Sequence, residues 1–320
     1  MPIEIRPVTP ADRPALLDLF RAAFGAEAPA ADWAWKYDRC PHGAVSVGAF
    51  DAGKALGFFG GLGTRYRGGE GNLPGVSAVD VMTAPSSRRL GRRTLFQRVA
   101  ADFFERNGAA GAPFVLGFPN DRHRLAGERV LGYVSVEPAA EWRRPVGRPG
   151  LLSRLRRRRL RHRRGPAVSG AHDALAEVLH ARAGWRTDRS RPTLDWRFAR
   201  PGVSYDVHEL LDARGRSIAY AAVRTVASRA LLVDLQAADE GAGAVAELLD
   251  AVGEALAVTG ARTLVLRAGS GSGLAARAAE LGFSPAETDT HFTVRPFHPA
   301  FDLARAAHAF DYRFLDHDVF

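Results

Sequence analysis

DVMTAPSSRRLGRRTLFQRVAADFF, residues 80–104, reads as a strand, a turn built to hold an anion, and an amphipathic helix. Val79, Val81 and Pro85 bracket the extended segment. Beyond it Phe96, Val99, Ala100, Phe103 and Phe104 recur at helical spacing with Arg92, Gln97, Asp102 and Glu105 between them, so one face packs and the other is wet. A helix start leaves its first backbone N–H groups without intrahelical partners and carries the positive end of the helix dipole, which makes it a natural phosphate site. Arg88, Arg89, Arg92 and Arg93 reinforce that field. On residue chemistry alone, the turn suits a solvated, arginine-rich helix start equally well.

At 320 residues the chain is about twice a typical domain, which favours two domains. Its 46% hydrophobic and 25% charged residues are those of a soluble globular protein. No apolar segment follows a basic start and no run of apolar residues is long enough to span a bilayer, so a cytoplasmic protein is expected. Cys40 is the sole cysteine, which excludes an internal disulfide and a cysteine-rich zinc site. The net charge of +9 is concentrated: Arg154, Arg156, Arg157, Arg158, Arg159, Arg161, Arg163 and Arg164 supply eight positive charges with no acid among them. Such a run reads first as a solvated linker, and second as a grip on nucleic acid, anionic lipid or an acidic partner.

Outward from residue 80 the order is regular. Ile3 and Ile5 mark a first strand, and Thr9-Pro10-Ala11-Asp12 is a capping box that opens a helix carrying Leu16, Leu19 and Phe20 and stopping at Gly25. After Trp33-Ala34-Trp35-Lys36-Tyr37 come strands 44–50 and 55–67, joined at Asp51-Ala52-Gly53, and a strand 76–83 that enters the anion turn. Phe114 to Phe118 is a buried strand, Arg122 to Val130 a short helix and Tyr133 to Val136 a last strand. The order is β-α-(α)-β-β-β-α-β-α-β. It then repeats: Trp35-Lys36-Tyr37 returns as Trp196-Arg197-Phe198, with strands 204–211, 218–226 and 230–236, a helix 241–259, a strand 263–266, a helix 273–281 and a closing strand 292–295. The expected division is a first domain 1–145, an arginine-rich linker 146–168 and a second domain 169–320.

Arg88-x-x-Gly91-x-Arg93 resembles the Arg/Gln-x-x-Gly-x-Gly/Ala turn of the GNAT superfamily of N-acetyltransferases, with Arg93 where glycine or alanine is usual. The element order, Leu131-Gly132-Tyr133 and Asn120 add to the resemblance, which covers about residues 3 to 140. It implies an α/β chain, of the α+β kind, with two tandem GNAT-like domains, each a mixed, mostly antiparallel sheet flanked by helices. It also implies acetyl-CoA as co-substrate without a metal, its pyrophosphate on Arg88, Arg89, Leu90, Gly91, Arg92, Arg93 and Thr94, with Asn120 beside it. Backbone N–H groups of Val81, Met82 and Thr83 would polarise the thioester carbonyl, and an amine would attack it directly.

Asp80 is the first candidate for the base, since strand alternation turns it away from Val79 and Val81, and a carboxylate facing an apolar cleft gains basicity; an ordinary strand-edge acid is the competing reading. Glu128 stands where many family members place a tyrosine as general acid. In the second half Ala238-Asp239-Glu240-Gly241-Ala242-Gly243 puts two acids where a pyrophosphate would sit, so that copy is expected to be degenerate, supporting the first domain, shaping the acceptor side or forming a homodimer. The C-terminal Asp311, Tyr312, Asp316, His317 and Asp318 could reach an active site or bind metal, and are expected first as docked packing. The resemblance suggests a small-molecule amine as acceptor, among them an amino sugar of surface polysaccharide, while antibiotic amino groups and protein lysines stay open. The alternative function is a non-catalytic module that binds nucleic acid or an anionic surface through its arginines.

Overall fold

The computed structural model describes the chain except residues 1, 28, 69–70, 88–93, 148–159, 240–241, 298–300, 304–308 and 318–320. It forms two compact units. The first comprises Met1–Arg65, Leu73–Val136 and Thr290–Leu303, the second Tyr66–Asn72, Glu137–Asp289 and Ala304–Phe320.

In the first unit strand β1 (Glu4–Pro7) leads through one 3-10 turn into helix α1 (Arg13–Phe24). Arg6 grips both oxygens of Asp12 at 2.7 Å and holds that carboxyl below its usual range, while the Thr9 N–H donates to it at 2.8 Å. Gly25, at φ 69°, ends the helix. Helix α2 (Ala30–Tyr37) precedes the hairpin of β2 (Val47–Asp51) and β3 (Lys54–Gly68), whose loop residues Ala52 and Gly53 have φ 47° and 80°, the geometry that suits strand twist. Then come β4 (Gly71–Thr83), α3 (Leu95–Ala109), β5 (Phe114–Gly117), α4 (Asp121–Leu131) and β6 (Val134–Pro138). Leu16, Leu19 and Trp33 pack with Phe58 and Met82 on one sheet face, while Leu95, Val99, Phe103 and Phe104 of α3 cover the other. Each such side chain contributes about 1.5–3 kcal/mol on burial, so several anchors pin each face.

The second half contains β7 (Glu141–Pro145), β8 (Arg161–Gly165), α5 (His172–His180), β9 (Arg186–Thr187), α6 (Arg191–Phe198) and β10 (Asp206–Leu211). There follow β11 (Ser217–Val226), β12 (Arg229–Ala237), α7 (Ala242–Leu256), β13 (Thr263–Arg267), α8 (Gly273–Ala276), β14 (Ser284–Ala286) and β15 (His291–Pro296). The first sheet runs β1-β2-β3-β4-β5-β15-β6 and the second β14-β7-β13-β12-β11-β10-β8.

Those orders change three expectations. Residues 292–295 do not close the second domain; β15 pairs with β5 (Val294↔Leu116, Arg295↔Val115), and β7 takes the corresponding place between β13 and β14. Each unit is thus completed by a strand from the other half of the sequence. Phe292 and Val294, both fully buried, mark a strand, but local pattern cannot name a partner so distant. Within the expected linker, 161–165 form a strand because neighbouring carboxylates take up its charge: Arg163 meets Glu209 at 2.6 Å and Arg164 meets Asp206 at 2.6 Å. The helix expected over 273–281 is the single turn Gly273–Ala276, capped by Ser272, and the chain continues in turns.

Candidate active site

Strand β4 carries two irregularities in one place. It pairs in parallel with β5 only at Val76↔Val115 and Ser77↔Leu116, so residues 78–83 run on past that ladder. Asp80, inside the strand, has φ 48°; the other described non-glycine residues with positive φ, Ala52 and Ala227, sit in turns. The left-handed region costs a residue with a Cβ roughly 1–2 kcal/mol.

Packing shows what the kink does. Val76 and Ala78 face α3, and so does Val81, whereas Met82 and Ala84 pack with the α1 and α2 residues. The two-residue alternation therefore slips by one between Ala78 and Val81, the mark of a bulge at Asp80. The simple alternation expected for Asp80 against both valines stops there. Beyond the bulge, Val81 to Thr83 stay in the strand but have no β5 partner.

The Asp80 side chain is 10% exposed and fully engaged: Lys36 Nζ lies 2.9 Å from each carboxylate oxygen, and the Tyr37 hydroxyl donates to Oδ2 at 2.7 Å. Lys36, 7% exposed, is as buried as its partner. Removing one member of such a pair typically costs about 3–5 kcal/mol, because the other charge is left buried alone. A Cβ on Gly60 of β3 would lie 2.5 Å from the Tyr37 oxygen and 2.6 Å from the Val79 carbonyl, so glycine leaves the space that the phenol occupies. Lys36 and Tyr37 were not among the expected site residues. Their signal was a lysine set among Trp33, Trp35 and Tyr37, repeated as Arg197 beside Trp196.

The other expected residues are placed as follows. Glu128 forms an i,i+4 ion pair with Arg124 at 3.0 Å on α4, and among the described residues no hydrogen bond or ion pair joins it to Asp80. Asn120 caps α4 by accepting from the His123 N–H at 3.1 Å, and Thr94 caps α3 in a reciprocal box with Gln97. Met82 is buried; Val81 and Thr83 are half-buried. Arg88, Arg89, Leu90, Gly91, Arg92 and Arg93 lie outside the described residues, as do Glu240, Gly241 and Asp318. Asp316 accepts from Arg189 at 3.0 Å, and the Tyr312 hydroxyl donates to Glu137 at 2.6 Å, so the tail packs within the second unit.

The second unit repeats the β4 pattern. β12 pairs with β13 from Arg229↔Thr263 to Leu232↔Leu266 and then runs on to Ala237. Against β11 its register slips between Leu232 and Asp234, which puts Val233-Asp234-Leu235 where the first unit has Val79-Asp80-Val81. Asp234 is fully buried, accepts from the Tyr220 hydroxyl and the Gln236 amide (3.1 Å), and pairs with Arg189 at 2.7 Å. Burial and the adjacent Asp234 push the Tyr220 phenol well up, so it stays a donor.

Among the described residues no cluster of three or more His, Cys, Asp or Glu side chains is arranged to hold a metal ion, and no helix is long and apolar enough to cross a membrane. Residues 4–128 match the model of the acetyltransferase (GNAT) domain family. No curated protein matches the sequence. Among solved structures, a GCN5-related N-acetyltransferase from Anabaena variabilis superposes with TM-score 0.68 at 10% identity, covering 93% of this chain and 73% of that one. A GCN5-related N-acetyltransferase from Kribbella flavida gives 0.64 at 17% over 92% and 71%. A tandem GNAT protein from the clavulanic acid biosynthesis pathway gives 0.62 at 15% over 93% and 100%. At such identities the structures attest the fold, and the family model attests the domain. Residues 4–128, which carry the bulged fourth strand and the capped helix α3, are thus matched to the acetyltransferase (GNAT) domain family, in a chain whose fold is that of the tandem GNAT structures.

Proposed function

We propose that the first unit is an acyl-CoA-dependent N-acyltransferase that passes acetyl from acetyl-CoA to a primary amine by direct attack. The observation that carries this is the end of the β4–β5 ladder at Ser77, followed by the left-handed bulge at Asp80, which leaves residues 81–83 of the strand without a β5 partner. Bound there, acetyl-CoA supplies a thioester carbonyl. The amides of Val81 to Thr83 are suited to accept the charge that develops on its oxygen, and one such donor is worth about 10²–10³ in rate. The helix start behind Thr94 and the sequence Arg88 to Arg93 suit the pyrophosphate. Direct attack needs no acyl-enzyme, so neither a serine triad nor a reactive cysteine is required.

The acceptor we propose is a small-molecule amine, with an amino sugar first in the panel to be screened; that choice rests on resemblance and not on site chemistry. Arg163 and Arg164 are already matched by Glu209 and Asp206, which takes two of the segment's eight charges away from the nucleic-acid reading.

Calorimetric titration tests the cofactor reading. Acetyl-CoA should bind the wild type saturably and stabilise it. Gly91→Asp should abolish binding, because a carboxylate there blocks backbone approach and repels phosphate. Gly241→Asp should leave affinity nearly unchanged, since Asp239 and Glu240 already oppose an anion. Loss through Gly241→Asp alone would move the cofactor to the second unit.

A further inference from the structure

Asp80 and Asp234 stand at the same bulge of two repeats, and each is held by a cation and a phenol drawn from different places. Lys36 and Tyr37 come from α2; Arg189 precedes α6, and Tyr220 lies on β11. An arrangement that recurs with different suppliers serves what the two sites share, which is the bulged strand. The two backbones differ, however. Asp80 is left-handed and Asp234 is not. A residue with a Cβ resists that region, so the first bulge must be held in it by its surroundings. In the second unit Arg189 is also paired to Asp316 at 3.0 Å, and the bulge is sealed in the core.

We propose that Lys36 and Tyr37 are positioning residues for acyl transfer: by clamping the Asp80 carboxylate they hold the β4 bulge left-handed and so aim the amides beyond it at the thioester carbonyl. The proposal rests on the acyltransferase reading above and makes Asp80 an anchor for the backbone and not the proton acceptor. Lys36 neutralises the carboxylate from both oxygens and Tyr37 fixes its direction, so the torsion at Asp80 is set from α2, across the sheet face from α3.

Two readouts test it. Isotope-edited infrared spectra of bound [1-13C]acetyl-CoA report carbonyl polarisation, and the amide resonances of Val81 and Met82 report the bulge with no cofactor present. Lys36→Met should move those resonances, cancel the carbonyl shift and slow CoA release with the amine that turns over by about 10²-fold, the scale of one lost oxyanion donor. Its affinity for acetyl-CoA should stay close to wild type. Because Lys36→Met leaves a carboxylate buried alone, Lys36→Met/Asp80→Gly is the second variant. Glycine adopts positive φ without a clamp, so the carbonyl shift and the rate should return.

No glycine replaces a base. A double variant with a native carbonyl shift and no turnover would make Asp80 the proton acceptor and overturn the proposal. Unchanged resonances and carbonyl shift in Lys36→Met would overturn it as well. Failure of the wild type to bind acetyl-CoA would instead remove the acyltransferase reading, and the Val81 and Met82 resonances would still decide whether the clamp sets the bulge.

Discussion

Gly60 shows how narrowly the candidate site is built. The Cβ of an alanine would fall within 2.6 Å of both the Tyr37 hydroxyl oxygen and the Val79 carbonyl, the second of which is backbone and cannot swing away. Gly60→Ala should therefore displace Tyr37 from Asp80 and destabilise the first unit by about 1–3 kcal/mol, the usual range for overpacking a filled core. Urea unfolding monitored by tryptophan fluorescence checks it, since the Trp33 ring packs, tilted, against Tyr37 with centroids 4.5 Å apart. An unfolding midpoint equal to that of the wild type would mean that the strand yields. None of this was legible from Gly60 in the sequence, where it is one of two adjacent glycines in an apolar strand. Lys36 and Asp80 are 44 residues apart, and no spacing rule connects them.

At the scale of elements, caps and tight turns were legible from a few residues. Thr9, Asp12 and Gly25 bounded α1, and Asp51 to Lys54 made the hairpin, because caps and two-residue turns are decided within a few residues. The bulge in β4 was not legible: one inserted residue leaves composition and hydrophobicity unchanged and shows only in which face Val81 joins. β7 and β8 were missed because Arg143, Arg144, Arg161, Arg163 and Arg164 look like solvent residues until their partners are known; Arg144, for instance, donates to the Leu249 and Leu281 carbonyls. Asn120, expected beside the cofactor, is employed as the cap of α4. Asn120→Ala should cost about 1 kcal/mol, as cap removals do, and Asn120→Ser should recover most of it. If Asn120 also held the cofactor, acetyl-CoA affinity would fall in both variants, which titration would reveal.

For the whole molecule, mild acid, above the range where carboxylates titrate, should act through two buried histidines of the second unit. His172 is fully buried, and its Nε2–H donates to the Arg189 carbonyl at 2.8 Å; burial lowers its pKa, as it does that of His208. Both histidines stay neutral in the fold while the unfolded chain takes up protons below about pH 6.5. The unfolded state then binds more protons, so stability falls as pH drops from that value toward the lower folded pKa, and levels off beneath it. Urea midpoints at pH 7.5 and 5.5 should differ. His172→Gln, which keeps a donor but cannot titrate, should narrow the difference; an equal difference in both proteins would assign the sensitivity elsewhere.

The strand exchange has a consequence for how the chain is made. Gly117 of β5 takes its hydrogen bond from Thr293, 176 residues further on. At roughly 5–20 residues per second on the ribosome, that edge waits on the order of ten to thirty seconds for its neighbour. During that time an interior strand is an open edge, the kind of surface that templates aggregation. A gene cut at the repeat boundary makes the delay permanent, because each product lacks a strand from inside its sheet. Residues 1–136 rejoined to 290–303 by a flexible tether restore the complement of the first unit. Nascent chains should therefore be the form of this protein most exposed to aggregation, and the tethered deletion should let its first unit be made alone.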